Sequence, residues 1–557
     1  MDRRFILAIA LLLAIALAPS IIFKRSPARP DGRAAGTADS TVAPSAAATV
    51  KPAAPSPVGK APAGPPTTGP AVRAPADTTL VSSALYTYGI STQGGRLVSA
   101  TLAEYRSTVK QEADHPLELL PAGTGILDVI VVAGNDTISL RDWNFTASAR
   151  ALTVREPQTL TLTGTQGGRT AELTYRFTPD QYRIDVSGRV SGVGPNGGLL
   201  LLDLGDGIRN TEADSAGNFR EAGIVTKQQE SKVTRFSSLK SGETTTLSGP
   251  FEWVAVKTKY FVIGALQLDT TLARISGVTL TPLPTLEKHP HGAQVLLSLP
   301  VGADGVFRYT VYAGPMEIKR LAAYGHDFDD VNPYGWPGFR TVIRFFAAPV
   351  RWLLIEMHTK LNLAYGIVLI LFGIMIRLLL WPLNQKAMRS TMRMQEVQPL
   401  LKDIQERYKN DPQRLNTEMF KLYKEHKVNP LGGCWPMLLP WPFLLALFVV
   451  FQYSIELRGA SFLWMADLSM HDPYYILPVL MGISIFGMSK LGQLGMEPNP
   501  QMQTMLYVMP VMMTVLFAQF PAGLNLYYTV QNLASIPQQW MIAQERLKRT
   551  PPAPRKK

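Results

Sequence analysis

The stretch LNLAYGIVLILFGIMIRLLLWPL, residues 361–383, is a long apolar run that carries one charge, Arg377. About 20 apolar residues cross the ~30 Å hydrocarbon core of a bilayer as a helix, so the stretch predicts a membrane-spanning helix. An arginine inside a span costs on the order of 3 kcal/mol on insertion scales. Six residues separate Arg377 from Asn384, roughly 9 Å of helix, which predicts a position in the cytoplasmic half. Two interpretations remain open: Arg377 snorkels to the headgroups, or it faces a polar cavity.

Further apolar runs along the 557-residue chain predict five more spans, six in all. They cover residues 5–23, 431–453, 474–489, 504–520 and 524–542. Basic loops stay cytoplasmic; ten basic residues lie in 384–429 and six in 546–557, whereas Arg458 is the one basic residue between Ser454 and Pro473. The sequence therefore predicts a multi-pass protein of the bacterial inner membrane with both termini cytoplasmic. This placement accounts for the net charge of +13 without a DNA partner.

Residues 78–325 follow a different pattern, in which apolar and polar side chains alternate. Between residues 169 and 177, Ala171, Leu173, Tyr175 and Phe177 alternate with polar neighbours. Alternation with a period of two is typical of strands with one buried face, and turn sequences such as GPNGG at 194–198 separate the runs. The pattern predicts a large antiparallel β domain, a sandwich of two big sheets, on the periplasmic side.

The predicted organisation has an anchor, a linker, a β domain and a helical core. Its parts are an N-terminal transmembrane anchor (1–25), a disordered Pro/Ala-rich linker (26–77), the periplasmic β domain (78–325), an interfacial amphipathic helix (336–360), a five-helix core (361–545) with a cytoplasmic helical hairpin (384–429), and a basic cytoplasmic tail (546–557). A cleaved signal peptide is the alternative for the anchor, although Pro19 disfavours cleavage after Ala18. An ordinary amphipathic helix under the β domain is the alternative for 336–360.

Polar residues recur along the last apolar run at helical spacing. Asn525, Tyr528, Asn532, Ser535 and Gln539 are three or four residues apart, so they share one face of a helix. Such a stripe needs partners away from lipid. It predicts either a polar cavity shared with Arg377 or hydrogen bonds between packed helices.

Metal, cofactor and enzyme chemistry have little support in the sequence. Cys434 is the one cysteine, the seven histidines are scattered, and no phosphate-binding loop, dinucleotide fingerprint or nucleophile elbow is present. We therefore expect no catalytic residues, no metal and no cofactor. The core of the C-terminal spans also carries no Asp, Glu or His, which counts against a proton-coupled transporter.

Several motifs in the C-terminal region resemble those of the YidC membrane protein insertase family. They are VNPLGGC (428–434), ELR (456–458), LW (463–464), DLS (467–469), DPYYILP (472–478), MG (481–482), MPV (509–511), FPAGL (520–524) and LYY (526–528). The resemblance covers roughly residues 336–547. It is thinner in the β region, where WVAVK (253–257) and YAGP (312–315) are similar to the family's periplasmic domain.

The resemblance implies a function and a set of site residues. The fold would be a six-span helical bundle with a β-supersandwich similar to sugar mutarotases. The protein would be an insertase and chaperone that moves hydrophobic segments of nascent proteins into the membrane, alone or with the Sec translocon, with the ribosome and membrane lipids as further partners. A groove open to the cytoplasm and to lipid would be formed by Arg377, Asn525, Tyr528, Asn532 and Ser535. Apolar segments would slide along Phe448, Met505, Met509 and Met512.

Two other functions remain open from the residues themselves. A small-molecule or ion transporter could use Arg377, and it should move solute in liposomes without a nascent chain. An envelope enzyme or sugar-binding protein could use the β domain, and it should lose function when residues 78–325 are deleted. Trp435, Pro440 and Gly373 depart from the family pattern, so the contacts of the groove are expected to differ in detail.

Overall fold

The computed structural model describes residues 77–426, 441–494 and 500–549, apart from residues 111, 114, 270, 286, 288, 336 and 337. The predicted anchor, all of the predicted linker except Asp77, and residues 550–557 of the predicted tail lie outside the described residues. The same holds for residues 427–440, which include the altered positions Trp435 and Pro440.

Strands and sheets occupy residues 78–315 of the described chain. The strands are β1 (Thr78–Ser82), β2 (Tyr86–Ser91), β3 (Leu97–Arg106), β4 (Pro116–Glu118), β5 (Asp128–Ala133), β6 (Asp136–Ser139), β7 (Thr146–Ala147), β8 (Ala151–Thr153), β9 (Gln158–Gln166), β10 (Arg169–Phe177), β11 (Arg183–Val190), β12 (Gly198–Asp203), β13 (Gly223–Lys227), β14 (Ser231–Arg235), β15 (Thr245–Phe251), β16 (Trp253–Lys257), β17 (Phe261–Leu266), β18 (Ile275–Pro282), β19 (Ala293–Val301) and β20 (Val306–Pro315).

These strands form three sheets in the described residues, where the sequence predicts two. The nine-stranded sheet has the order β14-β13-β16-β17-β20-β11-β10-β9-β7, the six-stranded sheet β15-β18-β19-β12-β5-β6, and the five-stranded sheet β4-β3-β2-β1-β8. Pairing is antiparallel except between β1 and β8. Alternation reveals which face of a strand is buried but not which strands pair. The number of sheets therefore could not be predicted from the alternation.

The alternation predicted for β10 is present in its burial. Ala171, Leu173, Tyr175 and Phe177 are buried, and Glu172 between them is exposed. In β16, by contrast, all five residues are buried. Both faces of β16 are covered because the segment after β20 packs on it: the rings of Trp253 and Phe328 lie 5.2 Å apart.

Helices dominate the described chain after residue 339. In chain order the helices are α1 (Ser215–Glu221) and α2 (Ile318–Ala322) beside the sheets, then α3 (Arg340–Leu361), α4 (Tyr365–Leu379), α5 (Trp381–Glu396), α6 (Gln398–Arg407), α7 (Pro412–Glu425), α8 (Trp441–Tyr453), α9 (Ile476–Gly492), α10 (Pro500–Phe517) and α11 (Ala522–Arg549). Helix α3 is amphipathic. It buries Ile343, Ala347, Val350 and Leu354, which are three or four residues apart.

The single span predicted for residues 361–383 is wrong in its bounds. Helix α3 continues to Leu361, and Asn362 ends it with a left-handed φ of 50°. Helix α4 then ends at Leu379, and the chain bends by 51° into α5. Pro382 explains the break because proline lacks the N–H that would continue the hydrogen bonds of α4, and its ring clashes with the carbonyl four residues earlier. Arg377 therefore lies in the last turn of α4, where the carbonyl ends of the helix favour a positive charge.

The length and hydropathy of the described helices can be compared with the six predicted spans. Among the described residues no single helix is both long and apolar enough to cross a bilayer, whereas α4 and the first part of α5 meet that requirement as one bent pair. Shorter apolar helical segments cover Pro442–Tyr453, Ile476–Gly492 and Gln503–Phe517.

Candidate functional site

The side chain of Arg377 reaches helix α11. Its Nη2 donates a hydrogen bond of 2.6 Å to Gln538 Oε1. Gln538 is 1% exposed, and its Nε2 donates to the carbonyl of Trp381 at 3.1 Å. Arg377 as a whole residue is half-buried, and its Nε is buried without a hydrogen-bond partner among the described residues. One glutamine thus holds the side chain of Arg377 in place.

Gln538 was missed by the sequence analysis. The predicted stripe steps by four residues from Ser535 to Gln539, but a step of three leads to Gln538, and both steps keep a residue on one helix face. Burial separates the two glutamines: Gln538 is buried and Gln539 is half-buried. The signal in the sequence was the pair of adjacent glutamines after Pro537.

Helix α4 approaches α11 closely one turn before Arg377. A Cβ added at Gly373 would lie 3.4 Å from Val530 and 3.5 Å from Tyr527, and the rings of Phe372 and Tyr527 are 5.6 Å apart. Gly373 therefore lies at the packing contact between α4 and α11, one turn before the Arg377–Gln538 hydrogen bond. Gly373, which departs from the expected family pattern, is buried at this contact.

Three other predicted groove residues lie on α11, and their polar groups form hydrogen bonds within the protein. Asn525 is buried, and its Nδ2 donates to the carbonyls of Phe517 at 3.0 Å and Phe520 at 3.4 Å. Asn532 Nδ2 donates to Ser484 Oγ on α9 at 3.0 Å. Ser535 Oγ donates to a carbonyl of its own helix, that of Gln531, at 2.6 Å. The structure thus joins Arg377 with Gln538, and Asn525 and Asn532 link α11 to α10 and α9.

Aromatic and thioether side chains line the neighbouring helices. Tyr528 is half-buried and packs edge-on to Phe517, with ring centroids 5.3 Å apart. Phe448 of α8 lies 5.2 Å from Phe520. On α10, Met505 is exposed, and Met509 and Met512 are half-buried. These residues form apolar surface that is only partly covered by the chain itself.

A second polar cluster joins the β sheets to the helices through residues 453–458. Arg458 Nε donates to both carboxylate oxygens of Glu212, at 2.9 and 3.1 Å, and both side chains are 5% exposed. Arg458 Nη2 also donates to the carbonyl of Arg106 at 2.9 Å. Ile455 packs within the apolar core of the sheets. The segment after α8 is therefore anchored in the β domain by an ion pair and an apolar side chain.

Two further contacts extend this junction. Glu456 accepts a hydrogen bond of 3.2 Å from Arg351 of α3, and Tyr453 Oη donates to Glu221 at 3.4 Å. Lys257, 2% exposed, donates to Asn332 Oδ1 at 2.9 Å and lies 4.0 Å from Glu221. The C-terminal end of α8 and the residues after it therefore contact α3 through Arg351, and Glu221 links them to Lys257 of the nine-stranded sheet.

The stability of the β region is expected to depend on pH through Lys257. Burial, which Glu221 offsets in part and the charge of Arg235 reinforces, lowers the pKa of Lys257 from 10.5 to about 8. Between these two values the unfolded chain binds more protons than the folded one, so this residue's contribution to the free energy of unfolding rises with pH, by about 1.4 kcal/mol per pH unit.

Thermal unfolding of the full chain between pH 7.5 and 9.5 tests this expectation. The free energy of unfolding of the wild type minus that of Lys257→Met should become more positive as the pH rises over that range. Lys232→Met, at an exposed residue on β14 of the same sheet, serves as the matched control. A difference for Lys257→Met that does not vary with pH would show that the lysine is already neutral or stays charged throughout.

Comparison with known proteins places these features in a family. The family model of the YidC periplasmic domain matches residues 78–353, and that of the 60Kd inner membrane protein matches residues 356–549. A relative from Anaeromyxobacter dehalogenans (strain 2CP-C), named membrane protein insertase YidC, is 34% identical over 99% of both chains. One of the same name from Chlorobaculum tepidum is 30% identical over 83% of this chain and 81% of its own.

A solved structure was also compared with the chain. The crystal structure of an active YidC insertase with its first transmembrane domain resolved has a TM-score of 0.34 and 18% identity, and the match covers 83% of this chain and 92% of that one.

The matched models confirm the predicted resemblance and the coarse architecture. Together they cover the β region and the helical region, and they describe an inner membrane protein with a periplasmic domain. The relatives' named activity is membrane protein insertion, which is not an enzymatic reaction, in agreement with the prediction. The chain is a member of the YidC family of membrane protein insertases.

Proposed function

We propose that this chain inserts hydrophobic segments of nascent proteins into the inner membrane through a polar groove around Arg377. The observation that carries the proposal is the half-buried Arg377, whose Nη2 donates one hydrogen bond of 2.6 Å to Gln538. A charge held in this way attracts polar or acidic ends of a client chain without covalent chemistry, and the low dielectric around it strengthens the attraction.

Apolar transfer supplies the driving force in this proposal. Client segments leave water along the partly covered surface of Phe448, Met505, Met509 and Met512, which gains about 25 cal/mol per Å² of apolar area. Flexible thioethers adapt to clients of different shape. Arg377 shortens the apolar distance that the polar loop next to the client's apolar segment has to cross. Tyr528 contacts the client beside Arg377. The hydrogen bonds of Asn525 and Asn532 keep α9, α10 and α11 together as the wall of this groove.

The orientation and partners in this proposal follow the charge distribution. Both termini and the hairpin at 384–429 face the cytoplasm, where ten basic residues meet anionic lipid or the ribosome. The anchor at 1–25 and the linker at 26–77 tether the periplasmic domain at 78–325, the helix at 336–360 lies at the interface, and the core at 361–545 ends in the tail at 546–557. The protein acts alone or with the Sec translocon, and it also assists client folding as a chaperone.

Site-specific photocrosslinking to stalled nascent chains tests the function. A photoreactive residue at Tyr528 or at Met505 should capture a stalled single-span client. Leu533, exposed on another face of α11, is the matched control and should capture much less. The insertase proposal fails if neither Tyr528 nor Met505 captures a nascent membrane protein while the stalled chains are shown to reach the membrane.

A further inference from the structure

A surface groove runs between α9 and α10, away from Arg377. It has a volume of about 260 Å³ and is lined by Val479, Gly482, Ile483 and Phe486 of α9 and by Tyr507, Pro510, Val511 and Thr514 of α10. Two lining residues, Tyr507 and Thr514, carry a hydroxyl group. Thr514 Oγ1 donates a hydrogen bond to the carbonyl of Pro510 at 2.9 Å. The groove therefore makes little polar demand on an occupant and favours an apolar one.

The helices touch at the back of the groove and leave its sides open. A Cβ added at Gly482 would overlap Thr514 Oγ1, so the two helices meet closely at that glycine. Ile483 and Val511 nevertheless remain 61% and 65% exposed. The rings of Phe486 and Tyr507, 5.7 Å apart, bound one end.

A cation lies on the same helix face as the apolar lining. Val479, Ile483, Phe486 and Lys490 are three or four residues apart, so they form one stripe on α9. Lys490 is exposed and its Nζ lies 5.8 Å from the centre of the Phe486 ring. It forms no ion pair with a carboxylate in the part of the chain that the structure describes. An apolar groove that ends at such a cation fits an amphipathic anion.

The length of the stripe matches one leaflet. Val479 and Lys490 are eleven residues apart, about 16 Å along a helix, which is close to half of the ~30 Å hydrocarbon core. The groove is too small for a client helix, because 16 Å of a helix 10 Å across occupies roughly 1,200 Å³. A single acyl chain, by contrast, fits a narrow groove whose lining on α9 runs from Val479 to Phe486, about 10 Å, with Lys490 one turn beyond it.

We propose that the groove between α9 and α10 binds one acyl chain of an anionic phospholipid of the cytoplasmic leaflet, with Lys490 pairing with its phosphate. This goes beyond insertion and rests on the proposed orientation, in which the end of α9 at Gly492 faces the cytoplasm. A lipid bound there covers the exposed apolar side chains of both helices and seals the wall of α9 and α10 behind the client path.

The test uses the full chain in nanodiscs of phosphatidylglycerol and phosphatidylcholine, with a photoreactive group on the acyl chain of one lipid at a time. Val511→Trp fills the groove and should reduce labelling of peptides from α9 and α10 several-fold. Val508→Trp, at another exposed valine of α10 outside the lining, is the matched control and should label like the wild type. Lys490→Gln should reduce the preference for phosphatidylglycerol about five-fold, the effect of one basic residue at a membrane surface.

Three outcomes would overturn the inference. Equal labelling of Val511→Trp and the wild type would mean that only lipid surrounding the whole protein is detected. An unchanged lipid preference in Lys490→Gln, which changes an exposed side chain and should fold normally, would remove the phosphate contact. Capture of a nascent chain and no lipid from a photoreactive residue at Ile483 would assign the groove to the client. The lipid readout needs no insertion activity, so its failure is distinct from failure of the proposed function.

Discussion

Replacing Arg458 with methionine is expected to release the segment after α8 from the β domain. The substitution leaves Glu212, 5% exposed, as a buried carboxylate without its cation. Breaking a buried ion pair in this way costs about 3–5 kcal/mol. Ile455, which packs on the sheets, and Glu456, which bonds to α3, belong to the same short segment as Arg458. We therefore expect the C-terminal end of α8 to lose its attachment to the sheets and to α3 together.

Amide hydrogen exchange of residues 454–458 in nanodiscs measures this effect. Protection should fall by about 100-fold or more in Arg458→Met, since 1.4 kcal/mol corresponds to a factor of ten. Arg274→Met breaks the half-exposed pair with Glu252, whose atoms are 3.1 Å apart, and should cost less than about 1 kcal/mol. The double variant Arg458→Met/Glu212→Leu should recover much of the loss because no charge stays buried alone. Unchanged protection in Arg458→Met would contradict the proposed anchoring.

Replacing Gln538 with leucine is expected to impair insertion nearly as much as removing Arg377 itself. Leucine fills a similar volume but offers no acceptor, so Arg377 loses its hydrogen bond to Gln538. Hydrogen bonds to charged groups contribute about 1.5–3 kcal/mol, which corresponds to a tenfold to hundredfold change in the population of the held guanidinium. Gln539→Leu, at the adjacent half-buried glutamine, is the matched control and should insert clients normally.

Insertion of a panel of single-span clients into proteoliposomes provides the measurement. Arg377→Ala should lose the clients with polar or acidic ends, and Arg377→Lys should retain much activity if a positive charge is what the groove requires. Gln538→Glu keeps the shape and places a carboxylate beside the guanidinium, so it should lose acidic clients selectively. Equal insertion by Arg377→Ala and the wild type across the panel would remove Arg377 from the mechanism.

Residues 361–383 show what the hydropathy of a sequence can predict and what it cannot. Hydropathy located the apolar helix and its one charge, and helical geometry placed Arg377 near one end. The pattern was wrong about where the helix ends, because it treated Pro382 as part of one apolar run. The proline separates α4 from α5, and the bend brings the Trp381 carbonyl to Gln538. The effect of Pro382 on the local backbone could be predicted from the sequence. That the resulting bend places the Trp381 carbonyl next to Gln538 could not.

The polar stripe on α11 shows the opposite limit. Its spacing predicted one shared face, and the structure has Asn525, Asn532 and Ser535 on that helix with polar partners. Spacing could not decide whether those partners are a client, water or neighbouring helices. The partner of Asn532 is Ser484, 48 residues away, so only the packing of α9 against α11 determines it.

The sequence by itself determined the family, the division into a β region and a helical region, and the position of one arginine in an apolar helix. These follow from composition, periodicity and local motifs, which act over a few residues. Only the tertiary structure decided that Gln538 holds Arg377 and that Arg458 pairs with Glu212. These pairs are 161 and 246 residues apart, and such contacts depend on how whole helices and sheets pack. For the arginine that interrupts residues 361–383, the sequence supplied the charge and packing supplied its partner.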